Sequence, residues 1–213
     1  MSIKDAVSKI RVYVLISSNI AARSVKETAE LAILGGADAI QLREKTLSDD
    51  KFISLAGEIR ELTEQSDTLL IINDRINVAR EVNADGIHLG QLDSSVAEAK
   101  NSLGTEKIVG VSTHNISQAI LAQKHGADYI AVGPIFPTKT KTMEPPVGLG
   151  LIQEVIKEIS IPFIAIGAIN LSNLDQILKA GASRVAVCSA IISTEDIFIS
   201  TRKFKQKLTS LTI

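Results

Sequence analysis

The sequence predicts a single (βα)8 barrel of the TIM type, one α/β domain spanning residues 1–213. Three observations predict it. Eight apolar runs punctuate the chain, each short enough for a strand rather than a helix. They are apolar nearly throughout, as parallel strands covered on both faces are. Between them lie stretches with apolar residues at helical spacing, so strand and helix alternate; eight such units in 213 residues match a barrel at its compact limit. An open doubly wound sheet is the alternative built from the same right-handed strand–helix–strand units.

The runs are Val12 to Ile16, Ala39 to Leu42, Leu69 to Ile72, Gly86 to Leu89, Ile108 to Val111, Tyr129 to Val132, Phe163 to Ile166 and Val185 to Val187. After the first, Ser24-Val-Lys-Glu27 reads as a capping box, hydroxyl and carboxylate each satisfying a backbone donor, and Leu34-Gly35-Gly36 reads as the stop of that helix. Lys51 to Leu62, Gln118 to His125 before Gly126, and Leu171 to Ala180 before Gly181 carry further helical patterns. A weak internal echo marks the return from helix to strand: Gly36-Ala37-Asp38, Asn83-Ala84-Asp85, Gly126-Ala127-Asp128 and Gly181-Ala182-Ser183. Small, turn-prone residues there let the chain reverse tightly.

Composition narrows the function. Lys and Arg number 23 against 24 Asp and Glu, so no basic footprint for nucleic acid exists. Aromatic residues are 3% with no Trp, which argues against stacking platforms for single strands. One Cys rules out an internal disulfide framework and suits a reducing compartment. The opening MSIKDAVSKI has no long apolar run, and no run reaches the ~18 residues of a membrane span. A cytoplasmic protein acting on small molecules is expected. Apolar residues on outer helices serve either packing or partners, so the oligomeric state is left open.

In a barrel the chemistry sits at the C-terminal ends of the strands, and the unusual polar residues fall there. Asp74 and Asp93 follow neighbouring strands; hard carboxylate oxygens without His or Cys suit Mg²⁺, which takes one or two carboxylates plus substrate phosphates. The plainer reading of Asp74 is a helix N-cap; for Asp93 that reading is weaker, because Ser95-Val-Ala-Glu98 offers its own capping box. Arg43, Lys45 and Lys141 supply positive charge that, with Mg²⁺, would hold a pyrophosphate and stabilise its departure; taken singly, each is equally a solvated rim charge. Gly167-Ala168 and Cys188-Ser189, after the last two strands, offer backbone N–H groups for a second anion, or form tight turns alone. The long segment Gly133 to Val147 reads as a binding loop or lid, with Thr138-Lys139-Thr140-Lys141 offering hydroxyls and amines and four prolines stiffening it. Gln41 and Asn73 either read a heteroaromatic ring or orient their neighbours. His88, His114 and His125 lack metal-ligand spacing, which excludes zinc, and His88 reads as a hydrogen-bonded core residue. Cys188 reads as a small buried hydrophobe rather than a nucleophile.

The strings QLREK, IND, GIHLGQLD, GVSTH, GADYIAVGPIFPTKTK and VCSAI, in that order between Val12 and Ile192, resemble the thiamine phosphate synthase family. That resemblance implies a (βα)8 barrel that joins a hydroxymethylpyrimidine pyrophosphate to a thiazole phosphate and releases pyrophosphate. It implies that the strand-end segment Gln41, Leu42, Arg43, Glu44 and Lys45 binds the pyrimidine pyrophosphate together with Asn73, Ser112 and Lys141. Arg43, Lys45, Ser112 and Lys141 would carry the catalytic work, and Asp74 and Asp93 would ligate Mg²⁺. Thr138, Lys139 and Thr140 would contact the thiazole phosphate, held also by the backbone of Gly167, Ala168, Cys188 and Ser189.

Members of the family usually carry Gly-Gly where this chain has Gly167-Ala168, so positive φ at Ala168 would imply a displaced loop. A related thiazole tautomerase carries a histidine where this chain has Pro134 and tends to lack the second metal carboxylate, so Pro134 and Asp93 favour the synthase. A non-catalytic barrel that binds a thiamine precursor is the alternative from another class, with Ala168 the feature that leans toward it.

Overall fold

A computed structural model of the chain describes residues 3–137 and 145–210. Its elements run α1 (Ile3–Lys9), β1 (Val12–Ile16), α2 (Val25–Leu34), β2 (Ala39–Leu42), α3 (Asp49–Glu64), β3 (Leu69–Asn73), α4 (Ile76–Glu81), β4 (Gly86–Leu89), α5 (Val96–Leu103), β5 (Ile108–Thr113), α6 (Ile116–Lys124), β6 (Tyr129–Val132), α7 (Gly150–Glu158), β7 (Phe163–Ile166), α8 (Leu174–Lys179), β8 (Val185–Val187), α9 (Ser189–Ile192) and α10 (Ile197–Thr209). The eight strands pair in parallel in chain order, and β8 returns to β1 with Val12 opposite Val185, which closes the barrel and excludes the open sheet. Every apolar run read from the sequence is a strand; β3 and β5 extend one and two residues further, into Asn73 and Ser112-Thr113.

Alternation along each strand sorts side chains into two cores. Val12, Val14 and Ile16 of β1 pack outward with helix residues such as Ala29 and Phe52, while Tyr13 and Leu15 point into the barrel with Ile71, Ile108, Tyr129 and Ile164. Among the described residues seven helices join consecutive strands, and three lie before β1 or after β8, where the expected alternation calls for one. Val7 of α1, with Ile10 just beyond it, joins the interior core at the N-terminal mouth. Short α9 follows β8, and α10 buries Ile197, Phe204 and Leu208 in the outer core.

The echoed tripeptides have a physical reason beyond tight turning. Asp38 Oδ2 accepts from the Arg11 and Val12 amides at 2.8 and 2.9 Å, Asp85 Oδ2 from the Leu70 amide at 2.8 Å, and Asp128 Oδ2 from the Val109 amide at 2.9 Å. Each carboxylate thus fastens the start of the preceding strand. Each is also paired with a cation: Asp38 with Lys205, Asp85 with Arg60 and Asp128 with Lys100. At Ser24 only half of the expected capping box forms, because the Glu27 carboxylate goes to Arg23 at 2.5 Å; at Ser95 and Glu98 both arms are made.

Candidate functional site

The strand ends open into a largely apolar cleft of about 450 Å³, walled by Leu15, Ile16 and Ile20 on one side and Pro134, Pro137 and Ile169 on the other. Beneath it, inside the barrel, lies a small cavity of about 30 Å³ lined by Tyr13, Gln41, Asn73, His88 and Tyr129, among others. That is space for a single water. Arg43 and Ser112 are the polar residues that line both spaces, and with Leu15, Ala131, Ile166 and Ala186 they form the boundary between them.

Arg43 leaves the end of β2 with its amide bonded to Ile16 O at 2.9 Å. Its half-buried guanidinium makes no hydrogen bond or ion pair among the described residues. Lys45, two residues on and exposed, pairs with the Asp74 carboxylate. The same carboxylate accepts from Asn73 Nδ2 at 2.8 Å, so Asn73 orients a neighbour. Asp74 is not a cap: its φ is 55° and Arg75 occupies the N-cap position of α4. Its amide bonds His88 O at 2.9 Å. Asp93 is not a cap either, since Ser95 caps α5; its Oδ2 accepts from the Gly90 amide at 2.6 Å, two residues beyond His88. The two acids therefore sit on adjacent strand ends. No group of three or more His, Cys, Asp or Glu gathers for a metal among the described residues. Two hard carboxylates fit Mg²⁺ when substrate phosphates and water complete its shell.

Two members of the strand-end segment are otherwise engaged. The Leu42 side chain is fully buried in the outer core, which leaves only its backbone for a ligand. Buried Glu44 accepts from the Ser18 amide and hydroxyl, both at 2.7 Å, and so ties the loop after β1 to the loop after β2. Arg75, which sequence reasoning missed, organises the latter loop: it donates to Glu44 O at 3.0 Å and Leu47 O at 2.7 Å, pairs with Asp49 at 2.9 Å and stands over the Phe52 ring. Its partners lie too far along the chain for any local pattern to show.

Gly167 and Ala168 have φ of 110° and 49°. Ala168 thus takes the positive φ expected to need a displaced loop, and Asn173 holds it there by donating to Ala168 O at 2.9 Å. Both residues line the cleft with Cys188 and Ser189. Burial raises the Cys188 thiol to about 11, against the opposing pull of Arg43, so it is a neutral thiol rather than an activated nucleophile. Thr138, Lys139, Thr140 and Lys141 lie outside the described residues. Of the described residues on either side, Ile135 and Phe136 amides bond Ile166 O and Gly167 O at 2.8 and 3.3 Å, and the Val147 amide bonds Pro134 O at 2.8 Å. His114, set aside on sequence grounds, lines the cleft with Nδ1 2.5 Å from Gly133 O. Tyr13 and Tyr129, read only as strand residues, bring phenols to the floor.

No described helix is long and apolar enough to cross a membrane. Residues 12–191 match the family model described as thiamine monophosphate synthase. The chain is 50% identical over 176 residues to the thiamine-phosphate synthase of Halalkalibacterium halodurans, covering 82% of this chain and 83% of that protein. It is 42% identical over 197 residues to the thiamine-phosphate synthase of Chloroflexus aurantiacus, covering 92% and 91%. The solved thiamine phosphate pyrophosphorylase from Pyrococcus furiosus superposes with a TM-score of 0.89 at 31% identity, over 97% of this chain and 99% of that one. With so much of the chain matched, and with the matched segment holding the cleft and its polar rim, the chain belongs to the thiamine monophosphate synthase family.

Proposed function

We propose that this chain is a transferase that joins a hydroxymethylpyrimidine pyrophosphate to a thiazole phosphate, giving thiamine phosphate and pyrophosphate. The observation that carries this reading is Arg43: a half-buried guanidinium without a partner among the described residues, at the junction of a polar barrel floor and an apolar cleft. A buried cation of that kind awaits an anion. The polar side chains of the floor suit the edge of a heteroaromatic ring whose body lies in the cleft above, beside a second, more apolar ring.

The chemistry asks little of the protein beyond placement and charge. An amino group on the pyrimidine stabilises positive charge at the exocyclic carbon as the carbon–oxygen bond breaks. Arg43, Lys45 and Lys141 neutralise the departing pyrophosphate, and Ser112 donates to it. The thiazole nitrogen attacks the exposed carbon and keeps the new bond; no proton need move. Backbone N–H groups at Gly167, Ala168, Cys188 and Ser189 hold the thiazole phosphate, with Thr138, Lys139 and Thr140 as its further contacts. Gln41 reads the pyrimidine edge. Asp74 and Asp93 are the residues that would hold Mg²⁺, which when bound supplies further neutralisation of the pyrophosphate; Lys45 would then release Asp74 for the ion. The cleft walls exclude water, and the site gains its rate from positioning and preset charge. The small net charge and the lone thiol fit a cytoplasmic enzyme without a nucleic-acid partner.

The test is pyrophosphate release with both substrates and Mg²⁺ present. Asp93→Ala is expected to lower turnover at least ~10²-fold, the scale of losing one electrostatic stabiliser. Undiminished turnover of that variant at limiting Mg²⁺ would remove Asp93 from the mechanism. Rearrangement of the thiazole without coupling, or Mg²⁺-independent binding with no product, would overturn the synthase reading altogether.

A further inference from the structure

Beneath the cleft, five side chains, each at most 8% exposed, form an unbroken hydrogen-bonded chain across the barrel. Gln41 Nε2 donates to Tyr13 Oη at 2.7 Å, Tyr13 Oη meets Tyr129 Oη at 2.9 Å, Tyr129 Oη meets His88 Nδ1 at 2.9 Å, and His88 Nε2 meets Ser112 Oγ at 2.9 Å. The barrel is built around it. A Cβ on Gly110 would lie 2.1 Å from Tyr129 Cζ and 2.5 Å from its Oη, so this glycine makes the space for the central phenol. Both ends of the chain reach the substrate space, since Gln41 lines the lower cavity and Ser112 lines both.

With a neutral His88, proton counting over these four bonds allows only two states in which every phenol and imidazole proton is used. Each phenol has one proton to give, and a neutral imidazole has one N–H. An amide nitrogen cannot accept. With Gln41 donating to Tyr13, the Tyr13 proton must go to Tyr129 and the Tyr129 proton to His88 Nδ1. His88 then carries its proton on Nε2 and gives it to Ser112, whose own hydroxyl proton is left for the cleft. In this state Gln41 turns its carbonyl oxygen to the cavity; that oxygen meets no donor among the described residues. The opposite state reverses every bond: Gln41 shows its NH2 to the cavity and Ser112 shows only lone pairs. Burial keeps both phenols protonated, well above the ordinary tyrosine range, so neither state is lost by ionisation.

We infer that Tyr13, Tyr129 and His88 are positioning residues that couple recognition of a ring amino group at Gln41 to recognition of an anion at Ser112. The coupling rests on the proposed synthase reading: a pyrimidine with both an amino group and a pyrophosphate needs an acceptor at one end and a donor at the other, and only the first state provides both. A ligand with one of these groups still favours that state. A ligand with both gains more than the sum, because mutual polarisation strengthens aligned bonds.

Two measurements test it. Nitrogen-15 NMR of the full-length, unliganded protein, with His88 assigned through His88→Gln, should show neutral His88 protonated on Nε2; a proton on Nδ1 overturns the inference. This readout is independent of activity, so it stands even if the synthase reading falls. The second measurement compares dissociation constants, without thiazole phosphate so that the amino group's electronic effect on bond breaking does not enter, for the aminopyrimidine pyrophosphate and its analogue with hydrogen in place of the ring amino group. The wild type should prefer the amino compound by at least ~10²-fold, as sites that hydrogen-bond a substrate group do. Tyr129→Phe, which cuts the chain without touching either end, should shrink that preference to within about tenfold, the scale of a single neutral hydrogen bond. KM for the thiazole phosphate should stay unchanged. An undiminished preference overturns the coupling. Should Tyr129→Phe fail to fold, Tyr13→Phe is read in the same way.

Discussion

Ala168 carries the clearest local strain at the site. Its φ of 49° places a Cβ in the left-handed region, where an L-residue pays roughly 1–2 kcal/mol. The neighbouring Gly167, at φ 110°, has no such latitude: an added Cβ would lie 2.5 Å from Pro134 Cα. The chain keeps Ala168 in place from outside, through Asn173 on its carbonyl and the Asn173 side chain's own bond to the Asn170 amide at 2.8 Å. Replacing Ala168 with Gly removes the strain but loosens the unfolded chain by roughly 0.4–1 kcal/mol. The net expectation is a variant that is more stable by about 0.5–1 kcal/mol. Chemical denaturation checks it, and a loss of stability would show that the alanine methyl earns its place by packing in the cleft wall.

At the scale of elements, the three aspartates that fasten strand starts are the devices on which register depends. Asp85 accepts from the Leu70 amide and from Arg60 at 2.9 Å, and is nearly buried. Asp85→Ala would leave a buried strand N–H unsatisfied and strip the half-buried Arg60 guanidinium of one of its two carboxylate partners, Glu64 being the other, at a cost of about 2–3 kcal/mol. Asp85→Asn, which keeps an acceptor, should lose about half as much; equal losses in thermal unfolding would mean that charge rather than the strand bond matters. The aspartates were visible in the sequence as an echo of small residues, but their task was not. Each amide they hold lies 15 to 27 positions earlier in the chain, beyond the reach of local pattern. The strands themselves were legible because parallel strands buried on both faces leave continuous apolar runs. The site was legible in part for the same reason: polar residues stand out when they end such runs, as Arg43, Asp74 and Ser112 do. Tyr13, His88 and Tyr129 did not stand out as a unit, because an inward-facing aromatic reads as core until its hydroxyl is seen to meet another.

A closed barrel has no edge strand, so each strand is held by two ladders and none can leave without breaking both. Cooperative unfolding of the whole ring follows, and the elements beyond the alternating units should share it. Helix α10 is the test case. It packs on α2, places Phe204 with no exposed surface in the outer core, and sends Lys205 to Asp38, the aspartate that fastens β1. Since β1 pairs with both β2 and β8, a change under α10 acts at the seam where the ring closes. Phe204→Ala is therefore expected to destabilise the entire barrel by about 3–5 kcal/mol through the cavity it leaves. Urea unfolding followed by far-ultraviolet circular dichroism should show one transition, shifted to lower denaturant, with its slope unchanged. A second transition appearing before the main one would mean that α10 peels away alone and that the seam is sealed by the strand ladders without it.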